Sequence, residues 1–398
     1  MPCVPDTSQR AGLFGESVIR RMSRVAAQFG AVNLAQGFPD FDPPPALTEA
    51  LARVAQTGPH QYAVTWGAAN FRKALTDKQN RFTGLNYDPD RNVVVTCGST
   101  EAMMAAMLAL VNPGEKVVVF SPFYENYGAD AILSGAEPVY VPLTPPAFGF
   151  DPEMLRAAFA LKPKALILCN PSNPTGKVFS EEELSFIAGL ADANDTWVIT
   201  DEVYEHIVFE PHRHLSFAAL RGMFDRTVVC GSLSKTYSIT GWRLGYAFGP
   251  PAAVEAMRKT HDFLTVGAAA PLQEAALAGL ELPDSYYEGL RAEYQAKRDF
   301  FLDLLEEAGL TYTKPDGAYY VLVDVSEFDT TDDTRFCEWL AEHVGVAAVP
   351  GSSFFREPVN HLIRFHFAKR DETLKEAGRR LIRLRSIWRE KGYRRVES

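Results

Sequence analysis

The 398-residue chain has no long hydrophobic run: its longest apolar stretch, Ala102–Val111, is about half of what a bilayer-spanning helix needs. The opening Met1-Pro2-Cys3-Val4-Pro5-Asp6 has neither the basic nor the apolar region of a secretory signal, so neither secretion nor membrane insertion is expected. Cysteine is scarce. Cys3, Cys97, Cys169, Cys230 and Cys337 are scattered, odd in number and free of any C-x-x-C pair, which excludes a disulfide framework and points to a reducing, cytoplasmic setting. No metal site is expected. Basic residues are outnumbered, 40 Lys and Arg against 50 Asp and Glu for a net charge of -10, so no basic stripe exists to neutralise a nucleic-acid backbone. Walker A and G-x-G-x-x-G patterns after strand-like runs are both missing, which removes support for nucleotide hydrolysis and dinucleotide binding.

What is present is a globular composition, 46% apolar and 23% charged, long enough for two domains. Seven β-branched runs, Val93–Thr96, Lys116–Phe120, Pro138–Pro142, Ala165–Cys169, Trp197–Thr200, Thr227–Cys230 and Leu244–Phe248, alternate with helical stretches. They predict an α/β fold around a mostly parallel, mixed seven-stranded sheet covered by helices on both faces. Apolar spacing of three and four predicts helices over 16–29, 46–55 and 285–309, and one continuous basic helix over 374–390; residues 1–12, polar and holding Pro and Gly, are expected to be poorly ordered. A smaller α+β domain is expected from 281–398, with 1–45 joining it and 46–280 forming the large domain.

Three charged residues stand where charge is costly. Lys235 lies in Ser232-Leu233-Ser234-Lys235-Thr236, just past a strand, with Thr240 and Arg243 following in Gly241-Trp242-Arg243-Leu244-Gly245. A lysine in so dry a turn is either an ordinary surface residue or one that becomes neutral, as an imine does. Asp201 ends the apolar strand Trp197-Val198-Ile199-Thr200, and Arg364 alternates with apolar neighbours in Leu362-Ile363-Arg364-Phe365-His366; on such faces each asks for an opposite charge. Gly98-Ser99-Thr100 reads as a strand-to-helix turn, with Ser99 as helix cap and the following N–H groups free for a phosphate.

The lysine segment, together with Asn170-Pro171-Ser172-Asn173-Pro174-Thr175-Gly176 and Asp201-Glu202-Val203-Tyr204, resembles the class I/II aminotransferases, pyridoxal-phosphate enzymes of fold type I. Asn33-Leu34-Ala35-Gln36-Gly37-Phe38-Pro39-Asp40-Phe41 and His60-Gln61-Tyr62 resemble their kynurenine/glutamine and methionine branch. The resemblance runs from about residue 15 to 390. It implies that Lys235 carries pyridoxal 5'-phosphate as a Schiff base and shuttles the α-proton, and that Asp201 keeps the pyridine nitrogen protonated. Tyr204 and Asn173 would bond the phenolic oxygen, Tyr124 would stack on the ring, and Ser99, Thr100, Ser232 and Arg243 would hold the phosphate. Tyr62 would reach the phosphate of a partner subunit, making the protein a homodimer with shared sites. Arg364 and Asn173 would grip the substrate carboxylate beside Gly37, and Phe14, Trp66 and Phe355 would line the side-chain pocket. Ala270-Pro271 departs from the threonine-proline usual in the family's site-lining loop, and His261 reads as a structural histidine at a helix end.

The expected reaction is ping-pong transamination from a neutral, sulfur-containing or aromatic L-amino acid, of methionine, glutamine, kynurenine or phenylalanine type, to a 2-oxo acid. An acidic donor would need a second arginine, and Arg20 and Arg21 read as solvated. Cysteine-conjugate β-lyase chemistry on the same site, an aspartate-type aminotransferase and a non-enzymatic dimer on this scaffold are the alternatives.

Overall fold

All seven β-branched runs form strands in the computed structural model, which describes residues 7–328 and 331–391. Cys3 and the first six residues lie outside the described residues. An eighth, two-residue strand completes the large sheet. In chain order the strands are β1 (Val93–Thr96), β2 (Lys116–Ser121), β3 (Glu137–Thr144), β4 (Gly149–Phe150), β5 (Ala165–Cys169), β6 (Trp197–Asp201), β7 (Thr227–Ser232) and β8 (Gly245–Phe248). Across the sheet they lie β1-β8-β7-β6-β5-β2-β3-β4. The pairs from β7 through β3 are parallel, β8 runs antiparallel to both of its neighbours, and β4 adds an antiparallel edge. The four residues of β1 and the last four of β6 are all buried, as expected where helices cover both faces.

A second, antiparallel sheet has the order Thr311–Thr313, Tyr320–Asp324, Leu362–His366, Val349–Pro350. The N-terminal segment joins the chain's far end, because Val32–Asn33 pairs in parallel with Val346–Ala347. One apolar cluster runs from Met22 and Leu34 through Leu166 and Tyr204 to Phe301 and Phe365, so the smaller sheet and one face of the larger share a core. Met103, Met107, Val254 and Met257 fill the other face.

The first helix shows how local sequence sets an element that matters to the site. Ser17 caps it, accepting from the Arg20 N–H at 3.3 Å. It runs Val18–Phe29 and stops at Gly30, whose φ of 59° suits glycine. Ile19, Met22 and Ala26 are buried, and truncating a residue such as Met22 to Ala costs about 2–5 kcal/mol. Two expectations need correcting. Residues 9–13 form a 3-10 turn capped by Ser8. The basic tail is two helices, Asp371–Leu381 and Leu384–Lys391, rather than one. The break lets the Arg385 guanidinium bond the carbonyls of Ala308 and Gly309 just past the Asp284–Glu307 helix, and both oxygens of Glu327.

Candidate active site

A cavity of about 440 Å³ lies at the C-terminal ends of the parallel strands, against the smaller sheet; its wall includes Gly37, Ser99, Thr100, Tyr124, Asn173, Asp201, Tyr204, Ser232, Lys235, Arg243 and Arg364. Residues spread over more than 300 positions thus meet in one place, a switch-point location that the α/β topology favours.

β7 delivers Lys235. Its last residue, Ser232, caps the four-residue helix Leu233–Thr236, accepting from Ser234 N at 3.0 Å and donating to Leu244 O at 2.9 Å. Lys235 Nζ donates to Gly37 O at 3.3 Å and sits 5.8 and 5.5 Å from the ring centroids of Tyr204 and Tyr319. Enclosure lowers its pKa to about 8. The Asp201 charge opposes the shift, and Arg243 and Arg364 add to it.

Asp201 ends β6. Burial raises its pKa, against a 2.7 Å hydrogen bond from Tyr127 OH and a 3.3 Å bond from Val203 N. Tyr127 carried no expected role, although it stands three residues after Tyr124, in the first turn of the helix Asn126–Ser134. Tyr204 OH lies 2.9 Å from Tyr320 OH, and Tyr319 OH donates to Gly37 O at 2.8 Å. Tyr320 opens a strand of the smaller sheet, Tyr319 directly precedes it and Tyr204 follows β6, and no local pattern announces such a meeting. Gly37 is needed for packing: a Cβ there would fall 2.3 Å from Tyr320 OH.

Opposite Lys235 lies a cradle for an anion. The Ser99–Leu110 helix opens with no side-chain cap, and the cap residue is Gly98 rather than Ser99, which is already helical. Its first N–H groups therefore lack partners within the helix, at the positive end of its dipole. Gly98 has φ 87°, and a Cβ on it would lie 2.2 Å from Arg243 Nη2. Gly245 is equally constrained, its Cβ position lying 2.2 Å from the Gly98 carbonyl carbon. The two glycines let loop, helix start and guanidinium converge.

Arg364 is fully buried and without a carboxylate partner among the described residues. It donates to Asn173 Oδ1 at 2.6 Å and to Ala35 O at 3.1 Å, packs over Tyr320 and Phe354, and leaves Nε unpaired. A buried guanidinium so placed awaits an anion.

The remaining expected residues lie elsewhere. Tyr62 is 87% exposed and outside the cavity. Trp66 packs between Arg72 and Arg258. Phe14 and Phe355 line a neighbouring cavity, whereas Arg20, expected to be solvated, is exposed yet lines both. His261 is buried and bridges Glu101 Oε1, at 2.5 Å, to Thr65 O, at 2.8 Å. Glu202, Glu205 and His214 bring ligand atoms within 4.8 Å of one another. Lys78, Gln79 and Tyr246 already bond Glu205.

A positive cradle, an amine of lowered pKa, a buried carboxylate and a buried guanidinium with no carboxylate partner among the described residues fit pyridoxal phosphate with an amino acid. The relatives agree. The N-succinyldiaminopimelate aminotransferase of Mycobacterium tuberculosis is 41% identical, and its structure superposes with a TM-score of 0.92 over 95% of this chain and 100% of that one. The methionine aminotransferase of Escherichia coli is 37% identical over 384 residues, 96% of this chain and 99% of that protein. Human kynurenine--oxoglutarate transaminase 1 is 34% identical, covering 90% of this chain and 93% of its own. The model of the family aminotransferase class I and II matches residues 30–381, and the chain belongs to that family of pyridoxal-phosphate-dependent aminotransferases.

Proposed function

We propose that this aminotransferase takes its amino group from an L-amino acid with an extended side chain, of the methionine, glutamine or kynurenine type, in preference to aspartate, and passes it to a 2-oxo acid. The buried, carboxylate-free Arg364 beside Asn173 carries the amino-acid part of the reading. That pair would bind the α-carboxylate, with the Nη1–Oδ1 bond fixing the fork. Lys235 would hold the cofactor covalently, and Ser99, Thr100, Ser232 and Arg243 would hold its phosphate. Tyr204 and Asn173 would bond its phenolic oxygen, and Asp201 its ring nitrogen. When bound, pyridoxal phosphate supplies the sink for the electrons left when the α-proton departs. Lys235 Nζ would take that proton from the α-carbon and return it two atoms away, on the cofactor carbon beyond the imine nitrogen, work suited to an amine whose pKa is about 8. Tyr127 would orient Asp201, and Tyr124 would cover the ring.

The unit would be a homodimer, with Tyr62 supplied to the partner's phosphate site. Tyr62, Val64, Phe263, Leu264 and Val266 are all exposed, and His261 ties Thr65 to the helix that ends at Thr265, so the apolar residues form neighbouring surface. The domain division at residues 45 and 280 belongs to the same reading. No described helix is long and apolar enough to cross a membrane. The test is a half-reaction. L-methionine without acceptor should convert the cofactor absorbance once and release the matching 2-oxo acid, and a second 2-oxo acid should restore it. Continuous release of pyruvate and ammonia from a cysteine conjugate without acceptor would instead establish the lyase.

A further inference from the structure

A second cavity of about 480 Å³ adjoins the first, and Ser17, Arg20 and Glu125 belong to the walls of both. Its other walls combine apolar surface from Phe14, Ile132 and Phe355 with a second guanidinium, Arg356. Arg356 is pre-set, lying 5.5 and 4.8 Å from the ring centroids of Phe123 and Tyr140 and donating to Tyr140 OH at 3.0 Å. Neither Arg20 nor Arg356 has a carboxylate partner among the described residues. The acids nearby are engaged: Glu16 with Arg24, and Glu125 with the Ser17 hydroxyl.

The inner cavity has to hold the cofactor together with the substrate's amino and carboxylate groups, so a long side chain has one continuation on this wall, past Ser17, Arg20 and Glu125. That neck carries one charge of each sign. The outer cavity adds Arg356 and Glu16, and Arg24 outside the wall offsets Glu16, so the balance left to a ligand favours an anion, while Phe14, Ile132 and Phe355 suit a methylene chain. We propose that the outer cavity is a distal substrate subsite, which admits amino donors whose long aliphatic side chain ends in a carboxylate read by Arg20 and Arg356. The proposal rests on the aminotransferase reading above and adds to its donors a class outside the methionine, glutamine or kynurenine type. A short acid such as aspartate stops inside the neck, where Glu125 offsets Arg20, and gains nothing from Arg356.

The test compares L-2-aminoheptanedioate with L-2-aminoheptanoate, which has the same chain without the second carboxylate, at a saturating 2-oxo acid. The wild-type protein should favour the dioate in kcat/KM by at least about 10-fold, and Arg356→Met or Arg20→Met should lower that ratio by about 10- to 100-fold, as loss of a charge-assisted contact does. The ratio is insensitive to the fraction of protein folded. A second readout needs no turnover: in the Lys235→Ala protein, calorimetry should detect heptanedioate binding that weakens when Arg356→Met is added. A wild-type ratio near one, or a ratio unchanged in both variants, would overturn the subsite. Turnover of methionine without any preference for the dioate removes the subsite alone, whereas turnover of no donor removes the aminotransferase reading beneath it.

Discussion

Lys235 and Asp201 are shifted for the same reason, enclosure, and each shift is read by a different experiment. In the cofactor-free protein, acylation of Lys235 should follow a titration with a midpoint near pH 8, because only the free amine reacts. Peptide mapping identifies the site, and a midpoint near the ordinary lysine value would contradict the enclosed geometry. Asp201 depends on Tyr127, whose hydroxyl opposes the upward push of burial. Tyr127→Phe should raise the Asp201 pKa further, move the acid limb of kcat to higher pH and lower kcat by roughly 10-fold, since hydrogen bonds to charged groups contribute about 1.5–3 kcal/mol. A pH profile that superimposes on wild type would make Tyr127 a packing residue only. Sequence singled out Lys235, Asp201 and Arg364 because charge at the end or on the apolar face of a strand is conspicuous. It missed Tyr127, Tyr319 and Tyr320, whose partners lie in other elements and whose type is ordinary in a core.

Among elements, the Ser99–Leu110 helix concentrates two requirements. Its cap, Gly98, has a φ that L-residues avoid and no room for a Cβ beside Arg243. Gly98→Ala should therefore weaken pyridoxal phosphate binding at least about 10-fold, measured by equilibrium dialysis; unchanged affinity would mean that the loop can shift without cost. Its first turn also carries Glu101, paired with the buried His261. The His261 pKa is raised against the cost of burial by Glu101, and the Glu101 pKa is lowered by His261 and Cys97 N against the same cost. The histidine's contribution to stability is present in full below its unfolded value of about 6.5 and fades as pH rises through the folded value. The glutamate's is present above its unfolded value of about 4.5 and fades as pH falls through the folded value. The pair therefore contributes most between about pH 4.5 and 6.5. Thermal unfolding of His261→Gln should show a larger deficit at pH 6 than at pH 9, with a cost of about 3 kcal/mol at the maximum; equal deficits at both pH values would remove the ionic reading. Element by element, the seven strands were legible from their β-branched runs. The two-residue β4 is too short for any pattern, and the tail's break at residues 382–383 serves a cap on a distant helix that periodicity cannot see.

For the whole molecule, the outstanding expectation is assembly. Tyr62 and Phe263, 87% and 93% exposed, are large side chains left in water by a single chain. Mixing inactive Lys235→Ala with a Tyr62→Phe protein of low activity should restore turnover through hybrid dimers, to about a quarter of wild type if subunits exchange at random. A fully active monomer in sedimentation would end the shared-site view. Which residues would line a side-chain pocket was the least legible feature. Phe14, Trp66 and Phe355 are apolar enough to suggest a pocket, but which of them share one cavity depends on how the first helix lies against the smaller sheet. Arg20 faces that cavity because Ser17 begins the helix where it does.

The pairing of Val32–Asn33 with Val346–Ala347 has a consequence during synthesis. The first helix, with Ile19 and Met22 on its apolar face, leaves the ribosome on the order of 300 residues before the strand it rests beside. At the usual ~5–20 residues per second, that face waits for roughly 15–60 s without its cover. Gly37, which meets Lys235 across the cavity, waits with it. The nascent chain must keep an apolar helix from wrong partners for most of its translation, and the cavity beside Lys235 is completed among the last events of folding.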